Sequence, residues 1–301
     1  MQQAELDTLK AAILSHFPDL AGSSFSLLTQ GWDSIAVDVD DRLIFKFPRN
    51  ENAEKSLIRE VSLLNVIRPA TDMPVPDIQL IADARIFSRH RKLKGSYLET
   101  SHYARLPVEA REDLALRLAR FYVDLHGLDL ERMRAAGAGP VEAWAKPDEV
   151  RDKVLPLLSG ELQRQASQII ASWTELPPDP YGETYGFFDG HGWNMAFDHE
   201  ANRLSGIYDF ADSGFGPLHR DFIYSNFISP DLTERIVSHY EALSGCALER
   251  KRIEVLTGAH RLWEMAEAVN DPSQMPLMID HFACWAAMCI DPADHHAPNR
   301  D

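Results

Sequence analysis

The sequence predicts an α+β protein of two lobes, a small β-rich N-terminal lobe with one embedded helix and a larger, mainly helical C-terminal lobe. Short strand patterns dominate the first ninety-odd residues, and long helical patterns dominate the remainder. A second β-rich patch interrupts the helices near residues 185–212. A chain of 301 residues is long enough for this division. We therefore place the lobes at residues 1–94 and 95–301.

The elements of the N-terminal lobe follow from its apolar periodicity. Apolar residues recur at spacings of three and four over residues 4–17 and again over residues 53–67, which predicts two amphipathic helices. Asp40-Asp41 separates two alternating runs and predicts a hairpin turn. The predicted strands are residues 25–28, 35–39, 43–47, 78–86 and 87–93.

Lys46 and Glu60 are charged residues enclosed by the apolar patterns of this lobe. Side chains alternate along a strand, so Lys46 points away from the face that Phe45 and Phe47 share. Glu60 falls within the apolar stripe of the second helix, where a carboxylate needs a partner. We expect Lys46 to be that partner. A lysine on a solvated edge, or a glutamate at the wet border of the stripe, would fit the same patterns.

The C-terminal lobe is predicted to open with a long helix over residues 109–128, whose buried face recurs at helical spacing. After the β-rich patch, helical patterns return over residues 231–244, 249–270 and 275–290.

Composition restricts the class of partner and the compartment. Asp and Glu number 46 against 30 Lys and Arg, a net charge of −16, which argues against nucleic acid or an anionic membrane as partner. A cationic substrate is compatible with this charge. The acidic composition could also serve solubility alone. Three cysteines without a CxxC pair suggest reduced thiols in the cytoplasm. We expect neither a signal peptide nor a transmembrane helix, because no apolar run is long enough.

A motif within the β-rich patch predicts phosphoryl transfer. Asp189 and Asn194 are five residues apart, and Asp209 follows fifteen residues later in a short apolar run. This spacing fits one catalytic base and two Mg²⁺ ligands, since Mg²⁺ prefers oxygen donors. Lys46, oriented by Glu60, could hold the α- and β-phosphates of a nucleotide. The chain has no Walker A loop, so Ser34 or backbone N–H groups near Gly31 would have to cover the phosphates.

Several segments resemble the aminoglycoside phosphotransferase family, which shares the protein-kinase-like fold. Gly31-Trp32-Asp33-Ser34, the run from Leu43 to Arg49, and Lys92-Leu93-Lys94-Gly95 are closest to the aminoglycoside 2″-phosphotransferases. The resemblance covers most of residues 20–225. Asp189 and Asn194 match the family motif H-G-D followed by an asparagine, and His191 matches an internal histidine.

Three departures mark an unusual member of that family. Phe187 replaces the histidine that opens the motif, a structural brace in the family, and Gly192-Trp193 replaces the usual proline-glycine. Ala211 replaces the glycine that normally follows Asp209-Phe210.

The resemblance also implies a role for each matching residue. Lys46 would be the phosphate lysine with Glu60 as its partner, and Asp189 the catalytic base. Further implied roles are Mg²⁺ ligation by Asn194 and Asp209, bracing of the catalytic loop by Asp221, and purine contacts from the backbone near Arg91 and Leu93.

Acceptor contacts are predicted on a late helix. Trp263 could stack on a sugar ring, and Glu264 and Glu267 share a helix face that could receive an amine. A solvated helix face would show the same spacing. Asp212, an acid just after the metal site, is a further candidate for contact with the acceptor.

Together these observations predict a Mg²⁺-dependent phosphotransferase that moves the γ-phosphate of ATP or GTP to a hydroxyl of a small, cationic molecule. An aminoglycoside is the favoured acceptor, and antibiotic resistance is the role expected with it. We also expect a monomer or weak dimer. A metabolic small-molecule kinase for a sugar or amino alcohol is one alternative. A nucleotide-binding pseudokinase is another, suggested by the replaced histidine and glycine.

Overall fold

The computed structural model describes residues 2–28, 34–82, 85–271 and 273–290. The α-helices are α1 (Gln2–His16), α2 (Glu51–Ile67), α3 (Thr100–Tyr103), α4 (Val108–His126), α5 (Leu130–Ala135), α6 (Pro147–Val154), α7 (Gly160–Thr174), α8 (Pro230–Ser244), α9 (Arg250–Glu267) and α10 (Met275–Ile290). The strands are β1 (Phe25–Leu28), β2 (Ser34–Val39), β3 (Leu43–Pro48), β4 (Gln79–Ile81), β5 (Phe87–Arg91), β6 (Glu183–Gly186), β7 (Met195–Asp198), β8 (Arg203–Ile207) and β9 (Gly214–Pro217).

The N-terminal part is an antiparallel sheet of five strands in the order β1-β2-β3-β5-β4, with α1 packed on one face. Asp40 and Asp41 both adopt positive φ (57° and 53°), as the predicted hairpin turn between β2 and β3 requires. Phe45 and Phe47 of β3 are fully buried against α1, so Lys46 points to the opposite face. The predicted alternation along this strand is therefore correct.

Helix α2 connects the sheet to the C-terminal part of the chain. The side chain of Asn50 caps its N-terminus by accepting the backbone N–H of Ala53 at 3.0 Å. Near its other end Leu63, Leu64 and Ile67 are buried in a core that also contains the apolar face of α4. This core contains residues from both sides of the predicted boundary at residue 94. Helix α2 therefore packs against the second lobe as well as belonging to the first.

The two strands that precede the crossing between the lobes are shorter than predicted. β4 and β5 pair only from Gln79↔Arg89 to Ile81↔Phe87, so the strands predicted over 78–86 and 87–93 were too long. The chain then leaves the sheet at Gly95, where φ is +124° and a Cβ would overlap the backbone of Phe197 on β7. Only glycine fits this close approach without strain.

The C-terminal part is mainly helical, as predicted, with two small antiparallel strand pairs inserted. β6 pairs with β9, and β7 pairs with β8. A separate apolar cluster joins α6, α7, α9 and α10 around Phe282 and Trp285. Together with the N-terminal sheet, this confirms the predicted α+β fold of two unequal parts. No helix within the described ranges is both long and apolar enough to cross a membrane.

Candidate active site

Lys46, Glu60 and Asp209 meet where the sheet faces the C-terminal part. The Lys46 Nζ atom lies 3.8 Å from Glu60 Oε2 and 3.4 Å from Asp209 Oδ1. Burial lowers the pKa of Lys46, but the carboxylates of Glu60 and Asp209 outweigh it and raise the pKa above its ordinary value. The predicted pairing of Lys46 with Glu60 is thus present, and the ammonium group stays charged at neutral pH.

Helix α2 also fixes the backbone around Asp209. Glu60 Oε1 accepts the backbone N–H of Phe210 at 3.0 Å, and the guanidinium of Arg59 donates to the carbonyl of Ala211 at 2.7 Å. Asp209 itself has φ of 71°, a conformation that non-glycine residues rarely adopt and that surrounding contacts must hold. The side chains of α2 supply those contacts and leave the carboxylate of Asp209 half exposed.

The loop between β6 and β7 positions Asp189 and Asn194. The amide Nδ2 of Asn194 donates to Asp189 Oδ2 at 2.6 Å and to the Asp189 carbonyl at 2.9 Å. These bonds use the nitrogen of the amide and turn its oxygen away from Asp189. The spacing of five residues therefore brings the two side chains together, as the motif predicts.

Burial and neighbouring charge perturb Asp189. Burial, together with the nearby carboxylates of Asp212 and Asp209, raises the pKa of Asp189 to about 7. A cation bound between these acids would lower that pKa, because it favours the ionised forms. Asp212 is exposed and adjoins the site through this charge interaction.

Asp221 holds the same loop in place through hydrogen bonds to its backbone. Its carboxylate accepts the backbone N–H groups of Phe187 at 2.9 Å and Phe188 at 2.6 Å, and it lies 3.0 Å from His126 Nε2. His126 is in turn 2.8 Å from the hydroxyl of Tyr240 on α8. All of Asp221 is buried, so these partners satisfy a charge that water does not reach.

Phe187, the residue that replaces the motif histidine, packs between two other rings. Its ring lies 5.8 Å from Phe121 of α4 and 4.9 Å from Phe210, and all three side chains are essentially fully buried. Aromatic packing thereby connects α4, the Asp189 loop and the Asp209 loop. At the position where the family motif has a histidine, the structure is therefore stabilised by apolar ring packing.

Gly192, which belongs to the Gly192-Trp193 departure from the family motif, lies against the backbone of the crossing segment. A Cβ at Gly192 would overlap the carbonyl oxygen of Leu98, whose N–H donates to the Gly192 carbonyl at 2.9 Å. The loop therefore approaches the backbone of the crossing segment too closely for any larger residue at this position.

Asn194 and Asp209 fit Mg²⁺ by the chemistry of their donors. Asn194 presents an amide oxygen, and Asp209 presents a carboxylate that is half exposed. Mg²⁺ at a nucleotide site usually takes one or two protein oxygens and completes its shell with phosphate and water. Among the described residues there is no cluster of three or more His, Cys, Asp and Glu that could hold a metal by itself.

The residues predicted to contact the nucleotide lie at the ends of two inner strands and in the segment that crosses between the lobes. Ser34 begins β2 opposite Pro48, while the loop residues from Thr29 to Asp33 lie outside the described ranges. Arg91 ends β5 exposed, and its carbonyl is 2.9 Å from His90 Nδ1. The side chain of Leu93 packs against Gly206 of β8, so the crossing segment contacts the second lobe here.

The predicted acceptor residues on α9 separate into two environments. Trp263 is partly buried and stacks on Trp144, with 6.2 Å between the ring centroids. Glu264 lies 3.6 Å from His260 Nδ1, and burial raises its pKa to about 7. Glu267 is exposed and pairs with Lys153 of α6 at 3.8 Å.

Sequence patterns did not identify several residues that surround Asp189. His191 Nε2 lies 3.3 Å from Asp189 Oδ1, and its ring is in contact with Trp193, Tyr224 and Phe227. Tyr224 and Phe227 also contact His260 of α9. The resemblance named His191 only as a matching position, and no pattern predicts that rings connect it to α9.

The chain has a two-part α+β fold, in which a lysine–glutamate pair lies near an Asp–Asn loop and a second aspartate. This combination defines a protein-kinase-like phosphotransferase. The chain belongs to the phosphotransferase enzyme family, whose model matches residues 24–254. The resemblance stated from the sequence is thereby confirmed.

Solved structures of phosphotransferases have a similar fold. The GDP complex of wild-type aminoglycoside 2′-phosphotransferase-IIIa is 20% identical, with a TM-score of 0.80 over 94% of this chain and 99% of that one. The streptomycin-ATP-APH(2″)-IIa ternary complex is 17% identical, with a TM-score of 0.61 over 91% and 96%. Macrolide 2′-phosphotransferase MphH from Brachybacterium faecium is 16% identical, with a TM-score of 0.63 over 92% and 98%.

Proposed function

We propose that this enzyme transfers the γ-phosphate of ATP or GTP to a hydroxyl of a small molecule and requires Mg²⁺. The observation that carries the proposal is that Lys46 contacts both Glu60 and Asp209, while the charge of Asp209 acts on Asp189, which Asn194 contacts. A nucleotide held by Lys46 at its α- and β-phosphates would direct its γ-phosphate toward Asp189. Asn194 and Asp209 would hold Mg²⁺, which neutralises charge on the phosphates when bound.

In the proposed reaction, Asp189 accepts a hydrogen bond from the acceptor hydroxyl and aligns its oxygen with the γ-phosphorus. A bond forms between that oxygen and the γ-phosphorus, and the bond to the bridging oxygen of the β-phosphate breaks. The hydroxyl proton passes to Asp189, and the nucleoside diphosphate leaves. Because the transition state is loose, Asp189 contributes mainly by position.

An aminoglycoside is the favoured acceptor. The neighbouring folds include enzymes named for aminoglycosides and a complex with streptomycin, and this chain carries a net charge of −16 that favours cations. A macrolide 2′-phosphotransferase of similar fold keeps a second antibiotic class among the candidates. We further propose a cytoplasmic enzyme that acts without nucleic acid or membrane partners.

A transfer screen tests the proposal. Purified enzyme is incubated with Mg²⁺ and either ATP or GTP against aminoglycosides, macrolides, sugars and amino alcohols, and phosphorylated product is detected by mass spectrometry. We expect product with at least one amine-bearing acceptor. Nucleotide binding without transfer to any acceptor would support the pseudokinase alternative. Turnover restricted to a sugar or amino alcohol would instead favour a metabolic kinase.

A further inference from the structure

Trp193 is an exposed aromatic residue on the loop that carries Asp189 and Asn194. Its side chain is 57% exposed, although most large apolar side chains near the site are buried. Single exposed apolar residues are common on protein surfaces. This one adjoins the Asp–Asn pair directly and occupies a position where the family motif has a small residue.

The ring of Trp193 is held in a fixed orientation. It stacks on His191 with 4.5 Å between centroids and 13° between planes, and the carbonyl of Trp193 accepts the hydroxyl of Tyr208 at 2.6 Å. His191 is buried, and Phe227 and Tyr224 meet its ring edge-on. One face of the indole is therefore occupied, and the other is a rigid apolar surface beside the catalytic loop.

This surface lies on the acceptor side of Asp189. Lys46 and Glu60 approach the site from the sheet and mark the nucleotide side. The ring contacts of His191 run instead to Phe227 and Tyr224 and, through them, to His260 of α9. His191 Nε2 also lies 3.3 Å from Asp189 Oδ1, so the stack adjoins the group that receives the acceptor hydroxyl.

We propose that Trp193 is a specificity-determining residue that stacks on a saturated, amine-bearing ring of the acceptor, as in an amino sugar. The C–H face of such a ring covers an indole well, and an ammonium group on it gains from the negative face of the aromatic system. Glu264, 3.6 Å from His260 on the same aromatic network, places a carboxyl group on this side. The inference rests on the proposed phosphotransfer.

The test uses an acceptor found in the transfer screen, with kanamycin as the first probe. Trp193→Ala should raise the KM for the acceptor about tenfold, and Trp193→Phe should restore it to within about threefold of wild type. The nucleotide Kd, measured by titration, should change less than about twofold in both variants. Tyr181→Ala is the matched control, because Tyr181 is another exposed aromatic residue (40%) and lies outside the site.

The outcomes separate the two proposals. If wild-type enzyme phosphorylates nothing, the proposed function fails and the role of Trp193 fails with it. If wild-type enzyme transfers phosphate and Trp193→Ala leaves the acceptor KM within about twofold, only the stacking role is wrong. Equal losses of acceptor and nucleotide affinity would also overturn it, because they would indicate a disordered loop.

Discussion

Asp221 holds Phe188 in a backbone conformation that few residues adopt. Phe188 has φ of 53°, and its N–H donates to Asp221 Oδ1 at 2.6 Å. The neighbouring N–H of Phe187 donates to Oδ2 at 2.9 Å, so one buried carboxylate fixes two successive peptide groups immediately before Asp189. The position of Asp189 therefore depends on an acid thirty-two residues further along the chain.

Asp221→Asn should lower both stability and turnover. The amide retains one acceptor oxygen but presents an NH₂ group to the other backbone N–H, which loses a buried hydrogen bond and costs about 1–3 kcal/mol. A loosened Asp189 should reduce kcat roughly tenfold or more. Denaturant unfolding and steady-state kinetics measure the two effects.

Asp179→Asn is the matched control for Asp221→Asn. Asp179 is also nearly buried and accepts the Nδ1–H and backbone N–H of His219 together with the N–H of Tyr181. This control should lose stability without an equivalent loss of kcat in the folded protein. Equal losses of kcat in both variants would show that bracing by Asp221 has no specific catalytic effect.

Asp189→Ala should remove most phosphate transfer while nucleotide still binds. The base and its alignment of the hydroxyl are lost, which corresponds to a decrease in kcat of about 10²–10⁴. Lys46, Glu60 and Asp209 remain, so the Kd for nucleotide should stay within about threefold. Product formation and nucleotide titration provide the two measurements. A variant that retained wild-type kcat would exclude Asp189 as the base.

Asp209→Ala should abolish the dependence of nucleotide affinity on Mg²⁺. Nucleotide Kd is measured with Mg²⁺ and with a chelator for wild type and variant. Wild type should bind more tightly with Mg²⁺, and the variant should show little difference, because a ligand to the metal is gone. Asp212→Ala is a useful comparison, since Asp212 adjoins the site as an exposed acid. If Mg²⁺ tightens binding equally in wild type and Asp209→Ala, the ligand role is wrong.

Local patterns predicted the parts of the site that each occupy one element. Alternation along β3 placed Lys46 opposite Phe45 and Phe47, and helical spacing placed Glu60 on the buried face of α2. Both follow from periodicity alone. Their contact was also predictable, because two buried opposite charges need each other.

Contacts between distant segments could not be predicted in this way. His126 ends α4 with nothing in its surroundings to indicate that it contacts Asp221, and the ring contacts from His191 to His260 join residues far apart in sequence. Glu267 shares a helix face with Glu264, yet in the structure it pairs with Lys153 on the surface. Tertiary packing determines which of two equivalent helical positions faces a site.

Glu264→Gln should stabilise the protein more at pH 8 than at pH 5. Burial raises the pKa of Glu264 from 4.5 to about 7, so the folded protein favours the neutral carboxyl group. Below pH 4.5 the group is neutral in both folded and unfolded chains and imposes no penalty. As pH rises toward 7 the unfolded chain ionises first, and wild type loses stability that the glutamine variant keeps.

The size of this effect follows from the shift and the partial exposure of the side chain. The free energy of unfolding of Glu264→Gln, relative to wild type, should rise by about 1–2 kcal/mol between pH 5 and pH 8, after allowance for solvent screening. Urea unfolding at the two pH values measures it. Glu267→Gln is the control, because loss of its exposed ion pair with Lys153 should change stability by less than about 0.5 kcal/mol at either pH. A difference for Glu264→Gln that did not grow with pH would mean that Glu264 is ionised in the folded protein, and the carboxylate would then be permanently available to an acceptor amine.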